Sequence, residues 1–221
     1  MIVDLNLKGK SVLIIGGGTE AVRKVDGLLT QNCSIHVVTE NASEDILRFA
    51  GAGKIHLKEV RVETGRIVNQ YENLVLVMAV TDDRDLNREI VKAARKVPCY
   101  AYSADDPEVS DFGHPTVINL FDTVQVAIST GGKSPLMAKR LRELTEPVLN
   151  DIIKKSHILQ IQLQDKLRGE AKKVLTNPEK RKEFLKEIFD DDTIREFLEK
   201  NQSEHAEMAA MEKLKKFIAN N

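Results

Sequence analysis

The sequence predicts an α/β fold: a parallel sheet with crossover helices, then a small α+β region, then an all-helical C-terminal region. Three observations carry this. Apolar runs of strand length alternate with helical patterns up to Pro107. Two of those runs, Ser11–Ile15 and Leu74–Val80, are apolar on both faces, as suits central strands of a parallel sheet. Beyond Pro135 the periodicity is almost entirely helical.

Composition bounds the reading. The 221 residues suffice for one large domain or two small ones. With 42% apolar and 30% charged residues, the chain has the ordinary mix of a soluble globular protein. A net charge of -1 gives no general attraction to nucleic acid or to a membrane surface. Cys33 and Cys99 have no CxxC or Cys/His spacing, so two buried free thiols in a reducing compartment are expected. No run approaches the ~20 apolar residues of a membrane span, and the start of the chain lacks a signal-peptide pattern. A cytoplasmic protein is expected.

The elements follow in order. Lys8-Gly9-Lys10 turns the chain into the first strand, Ser11–Ile15. After Gly16-Gly17-Gly18, the residues Ala21, Val22, Val25, Leu28 and Leu29 recur at helical spacing. Ile35–Thr39 reads as the second strand. A short helix is expected within 41–53, with Ile46, Leu47 and Ala50 inward, and a weakly alternating strand over 54–60. The Leu74–Val80 strand leads to a helix starting near Asp85 with Leu86, Ile90, Val91 and Ala94 inward. Cys99–Ser103 is a further strand. The stretch 112–123 is read as irregular, and Val124–Ser129 as a strand. Ser134 can cap a helix beginning at Pro135. Asn177-Pro178 opens a helix with Phe184, Leu185, Ile188 and Phe189 as its apolar side. Asp192-Thr193 opens another, with Ile194, Phe197 and Leu198. The last helix, near 206–218, uses Met208, Met211, Leu214 and Ile218.

Five stretches carry chemistry. Gly16-x-Gly18-x-x-Ala21 lies between a strand and a helix, the pattern of a Rossmann dinucleotide turn. Gly16 allows the turn, Gly18 leaves room for a pyrophosphate, and Ala21 permits close helix–strand packing. The helix N-terminus at Thr19 and Glu20 adds backbone donors. Glu40 follows Thr39 roughly 20 residues on, where an acidic residue accepts hydrogen bonds from the adenine ribose and disfavours a 2′-phosphate, so NAD is the expected cofactor. Ala79, Val80, Thr81 and Asp82 close a central strand at the sheet edge where such ligands bind. Asp105 and Asp106 lie before Pro107 at another strand end; one carboxylate there can act as a general base, and the pair also suits a turn. Ser129-Thr130-Gly131-Gly132-Lys133-Ser134-Pro135 echoes a P-loop, but the glycine needed five positions before Gly132 is Ala127, inside a strand, which excludes triphosphate hydrolysis. The histidines show no metal-ligand spacing, and no metal site is expected; His114 alone lies near the candidate cleft.

Taken together, these motifs resemble the precorrin-2 dehydrogenase/sirohydrochlorin ferrochelatase family, the dehydrogenase–chelatase portion of siroheme synthases. The resemblance runs from Leu5-x-Leu7-Lys8-Gly9-Lys10 through the glycine turn with Arg23 and Lys24. It continues through Ala79-Val80-Thr81-Asp82-Asp83 with Asn87, then Asp105-Asp106-Pro107 with Phe112 and Pro115. It ends in Ile128–Pro135 and the helix carrying Arg140, Leu141 and Arg142. Beyond about Glu146 only helical character matches.

The resemblance implies three regions: an NAD-binding Rossmann domain over 1–113, a dimerisation region over 114–147 and a helical domain over 148–221. It implies a homodimer that oxidises precorrin-2 to sirohydrochlorin with NAD. In bifunctional members the same cleft inserts ferrous iron, so Fe2+ or Co2+ would be a substrate rather than a resident metal. Asp105 falls on the family's key aspartate and is the expected base. Ser129 and Thr130 fall on the family's serine-rich turn. Lys133 and Arg140 are the expected partners of substrate carboxylates. The chain departs from the family pattern at Tyr102, where asparagine is common, and at Gly113-His114, where apolar residues are usual. A non-catalytic NAD-sensing module is the competing reading. Asp105 and the 130–135 stretch favour the enzyme, because a sensor needs neither.

Overall fold

The computed structural model describes residues 2–219. Contacts divide the chain into two compact units, one running to His114 and including Gly131–Lys133, the other comprising Pro115–Thr130 and the helices from Ser134 onward.

The first unit is built in the order β1 (Ser11–Ile15), α1 (Thr19–Leu28), β2 (Ser34–Thr39), α2 (Glu44–Gly51), β3 (His56–Glu59), β4 (Leu74–Ala79), α3 (Arg84–Ala94) and β5 (Tyr100–Ser103). All four strand pairings are parallel, and the strand order is β3-β2-β1-β4-β5. The sheet is covered on both faces, which explains why β4 is apolar throughout and β1 is apolar from Val12 to Ile15. Val12, Ile14, Val37, Leu76 and Met78 pack with α1 and α2 residues such as Val25 and Ile46. Leu13, Ile15, Val38, Val77 and Ala79 pack on the other face with Ile90, Val91 and Ala94 of α3. That second cluster also takes Ile67 and Val68 from a 3-10 helix at Gly65–Gln70, an element too short for periodicity to announce.

The second unit holds a two-stranded antiparallel hairpin and five helices: β6 (Thr116–Leu120), β7 (Val124–Ile128), α4 (Pro135–Ile152), α5 (Lys155–Val174), α6 (Pro178–Asp190), α7 (Asp192–Glu199) and α8 (Ser203–Ala219). Leu163, Leu167, Ala171, Phe184, Ile188, Ile194, Leu198, Ala206, Ala210 and Leu214 form one apolar core from α5 to α8. Helix α4 crosses the expected region boundary at 147/148 without interruption, Pro147 included.

Several sequence expectations are corrected here. The stretch read as irregular contains β6. Its turn places Phe121 and Asp122 in the left-handed region, with φ of 53° and 51°, closed by the Thr123 amide donating to the Leu120 carbonyl at 3.2 Å. A turn with both central φ positive normally announces itself with Asn or Gly, and this one uses neither. In α2 the buried pair is Ile46 and Phe49, while Leu47 is exposed because it lies one position off the i, i+3, i+4 stripe. Phe189 is exposed beside the Phe184/Ile188 line of α6. In α8 the inward ladder is Ala206, Ala210 and Leu214, and the larger Met208 and Ile218 are exposed. Cys33 and Cys99 are free but only half-buried.

Candidate active site

Strand order reverses at β1 and β4: the chain leaves β1 for β2 and β3 on one side and returns as β4 and β5 on the other. Ligands of open parallel sheets bind beyond the strand C-termini at this point. The glycine turn that follows β1 is pressed against both neighbours. Gly16 has φ +127°, and a Cβ on it would lie 2.5 Å from the Val80 carbonyl oxygen. Gly17, given no role from sequence, is equally constrained: a Cβ would lie 2.4 Å from the Asn41 carbonyl oxygen and 2.7 Å from Thr39 Oγ1.

Gly18 differs from both. Its φ is −84°, and a Cβ would meet no protein atom within 4 Å. The fold itself does not demand glycine there, whereas a pyrophosphate lying against the backbone would. Gly18 is also the N-cap of α1 and supplies no side-chain hydrogen bond, leaving the first-turn N–H groups without a side-chain partner. Ala21 is fully buried under the helix. These features fit a bound dinucleotide.

The flanking positions are more mixed. Thr19 is exposed. Glu20 is engaged within α1, 2.8 Å from Lys24 Nζ and 3.4 Å from Arg23 Nη1. Burial pushes its carboxyl up, but Lys24 and Arg23 outweigh that and hold it below the usual value. Thr39 is buried and donates its hydroxyl to the Asn41 carbonyl at 3.0 Å, so its visible work is to shape the loop against Gly17. Glu40 follows it, exposed.

At the end of β4, Ala79 and Val80 are buried and Thr81 is tied to Asn87. The Thr81 amide donates to Asn87 Oδ1 at 3.1 Å, and Asn87 Nδ2 donates back to the Thr81 carbonyl at 3.0 Å. The Thr81 hydroxyl lies 2.7 Å from the same Oδ1. Asp83 caps α3, accepting from the amides of Asp85 and Leu86 at 3.0 Å each. Asp82 is exposed on the same turn.

Asn87 carries its second Nδ2 hydrogen to Asp105 Oδ1 at 2.9 Å, linking the end of β4 to the end of β5. Ser103 Oγ donates to that same Oδ1 at 2.6 Å. Arg84 Nε stands 3.6 Å from the other oxygen, Oδ2. Burial pushes the Asp105 carboxyl up, but the Ser103 and Asn87 hydrogen bonds and the Arg84 charge together hold it below the ordinary aspartate value. Asp105 is therefore an anchored, ionised carboxylate with its side chain 32% exposed.

Asp106 has the opposite environment. Its side chain is 7% exposed and accepts from Arg88 Nε and Nη2 at 3.0 and 2.9 Å. It also accepts from the Glu108 amide at 3.3 Å, capping the short 3-10 turn Pro107–Val109. The Arg88 hydrogen bonds, working against burial, hold its carboxyl low. The turn reading of the Asp105-Asp106 pair belongs to Asp106, while the Asp105 side chain is the more exposed of the two.

Tyr102 and His114, the two departures from the family pattern, meet in one cluster. Their rings are edge-to-face at 4.8 Å, and Phe112 lies 5.5 Å from Tyr102 and 5.3 Å from His114. Lys24 Nζ lies 4.5 Å from the Tyr102 ring centre and 3.4 Å from its hydroxyl. Crowding by these neighbours, with the Lys24 charge adding, pushes His114 down to about 4, so its imidazole is neutral at neutral pH although the residue reaches solvent.

In the second unit, Thr130 serves its own turn: its Oγ1 accepts from the Ser134 amide at 3.1 Å. Ser134 caps α4 by accepting from the Met137 amide at 3.2 Å. Gly131 and Gly132 have φ of 62° and 76° with open space at their Cβ positions. Ser129 precedes this turn, Lys133 on it is exposed, and Arg140 on α4 is exposed and 3.8 Å from Glu143.

Sequence reasoning gave no site role to Asn87, Ser103, Arg84, Arg88 or Gly17. For Asn87 a signal existed: it is a polar residue on the stripe of Ile90, Val91 and Ala94, and a polar side chain on a buried stripe needs partners.

Comparison with known proteins adds to this geometry. Residues 3–116 match a family model described as putative NAD(P)-binding, and residues 122–144 match one described as sirohaem biosynthesis protein central. The chain is 31% identical over 202 residues to Siroheme synthase 2 of Aeromonas hydrophila, covering 91% of this chain and 40% of that protein. It is 35% identical over 144 residues to Siroheme synthase of Methylococcus capsulatus, 65% of this chain and 29% of that one. The chain thus spans about 40% or less of the length of these relatives. Among solved structures it resembles SirC, precorrin-2 dehydrogenase, with a TM-score of 0.67 and 25% identity over 96% of this chain and 99% of that one.

Proposed function

The chain belongs to the putative NAD(P)-binding family whose model spans residues 3–116, and from that premise we propose that it is an NAD-dependent dehydrogenase that oxidises precorrin-2 to sirohydrochlorin. The single observation that carries this is Asp105: an exposed, ionised carboxylate anchored through buried Asn87 to the strand end beside the nucleotide turn. A nucleotide sensor has no use for such a group.

NAD, when bound, accepts a hydride from the substrate. Gly16 and Gly17 hold the turn against β4 and the loop after β2, Gly18 leaves the backbone open to the phosphates, and the α1 N–H groups receive them. Glu40 binds the adenine ribose. Asp105 takes the proton released as the carbon–hydrogen electron pair departs, and Asn87 and Ser103 fix the carboxylate for that transfer. His114 and Lys133 contact the polycarboxylate substrate. A ferrous or cobaltous ion enters this reading only as the substrate of a following insertion step.

In this reading the protein acts in the cytoplasm as a homodimer. Dimerisation uses β6, β7 and α4. Met137, Leu141, Leu144 and Val148 repeat at helical spacing on α4 and are all exposed, next to Leu136 at 82% exposure. Such a stripe suits a second copy. Sedimentation should return a dimer.

The test is anaerobic incubation of the purified protein with precorrin-2 and NAD. NADH should form in step with the absorbance of sirohydrochlorin. No NADH from protein that binds NAD would leave the sensor reading in its place.

A further inference from the structure

The two oxygens of Asp105 are treated differently. Oδ1 accepts from both Ser103 Oγ and Asn87 Nδ2. Oδ2 faces Arg84 Nε at 3.6 Å, beyond hydrogen-bond length, so the guanidinium covers Oδ2 without locking it. Arg84 also reaches Asp106 Oδ2, with Nη2 at 3.8 Å. Asp106 does not depend on it, because Arg88 already holds that oxygen at 2.9 Å. If Arg84 swings away, Asp106 keeps Arg88, and Asp105 keeps Ser103 and Asn87.

Arg84 meets neither aspartate at hydrogen-bond length. Its side chain is 62% exposed. It is the first residue of α3, where a cation opposes the helix dipole, so helix stability does not account for it. A guanidinium is suited to bidentate pairing with a carboxylate.

We propose that Arg84 is the carboxylate-reading residue of this site: it rests across Asp105 and Asp106 in the free protein, transfers to a carboxylate of the anionic tetrapyrrole, and by leaving exposes Asp105 Oδ2 to the proton it must take. The inference rests on the dehydrogenase reading and adds a device to it. Substrate binding and activation of the base become one event. The hydride goes to NAD, the proton to Asp105 Oδ2 and from there to water. The departure of Arg84 also removes part of what holds the Asp105 carboxyl low, so the carboxylate becomes more basic when substrate is present.

The experiment compares the full-length wild type with Arg84→Gln and Arg84→Lys. In Arg84→Gln the KM for precorrin-2 should rise about 10-fold with little change in the KM for NAD, the usual scale for losing one charge-assisted hydrogen bond. The acid limb of kcat/KM should move to higher pH, because the carboxylate has lost its neighbouring cation. Arg84→Lys should recover part of both. A KM within about twofold of wild type together with an unmoved limb overturns the proposal.

A second readout does not need turnover: carbon-13 NMR of the Asp105 carboxyl, titrated with and without sirohydrochlorin. The ligand should raise the Asp105 pKa more in wild type than in Arg84→Gln. Equal rises overturn the transfer. Absence of NADH in wild type, with the unequal rises still observed, removes the dehydrogenase reading and leaves the carboxylate-reading role of Arg84 standing.

Discussion

The sheet unit buries Lys24, Thr39, Asn87, Ser103 and Asp106 along with its apolar core, whereas every buried residue from Ile118 to Leu214 is apolar among the described residues. A buried polar group costs free energy unless its hydrogen bonds are made, so a fold gathers such groups where geometry matters. In the sheet unit Thr39 lies behind Gly17, Asn87, Ser103 and Asp106 gather at the turn around Asp105, and Lys24 pairs with Glu20 and Tyr102. Among the described residues the helical unit buries no polar side chain of this kind; its core rests on apolar burial, with peripheral hydrogen bonds such as Gln164 Nε2 to the Leu185 carbonyl. With the proposed function, the contrast predicts that substitutions in the two units fail differently.

The largest effect should come from Asp105→Asn. General base catalysis contributes about 10²- to 10⁴-fold, so turnover should fall by about 10³-fold while calorimetry finds NAD affinity unchanged. Near-normal turnover would take Asp105 out of the mechanism. In the helical unit, Phe184→Ala should cost about 3–5 kcal/mol in denaturant unfolding, because a fully buried ring leaves a cavity among Ile188, Leu198 and their neighbours. NAD affinity should not follow it. If it does, the functional separation of the units is wrong.

Asn87→Ala sharpens the same contrast from inside the sheet unit. It leaves the Thr81 amide and carbonyl without their side-chain partner and costs about 1–3 kcal/mol. It also removes a donor from Asp105 Oδ1, so the Asp105 carboxyl should rise. Activity that depends on the ionised form is present above the Asp105 pKa and lost as pH falls through it. The acid limb of kcat/KM should accordingly move up in this variant, which a purely structural loss would not do. The smallest effect is Ser134→Ala, which removes the cap of α4 at a cost of about 1 kcal/mol, read as a lowered melting temperature with kcat unchanged.

Much of the sheet unit was legible because its signals are local. Strand β1 runs into three glycines, β4 is apolar throughout, and Asp83 stands where a cap belongs; in the helical unit Ser134 and Asn177 do the same. The hairpin was not legible, because Phe121 and Asp122 take left-handed conformations without the residues that normally signal them. The inward faces of α2 and α8 were misjudged by one or two positions, since side-chain size was followed where the stripe chose Phe49, Ala206 and Ala210. Polar contacts between α3 and the turn after β5 left little trace: Asn87 and Asp105 are 18 residues apart, as are Arg88 and Asp106.

By itself the sequence determined the alternation of strands and helices, the glycine turn and the placement of Asp105 at a strand end. Those follow from side-chain pattern and backbone freedom over a few neighbouring residues. Only the tertiary structure decided which of two adjacent aspartates is locked to an arginine and which oxygen of the other meets only a loose arginine contact. It also decided that Gly17 is constrained by its neighbours while Gly18 is not. Each of these depends on which atoms the parallel strands bring together across the sheet, and that proximity is set by packing rather than by spacing along the chain.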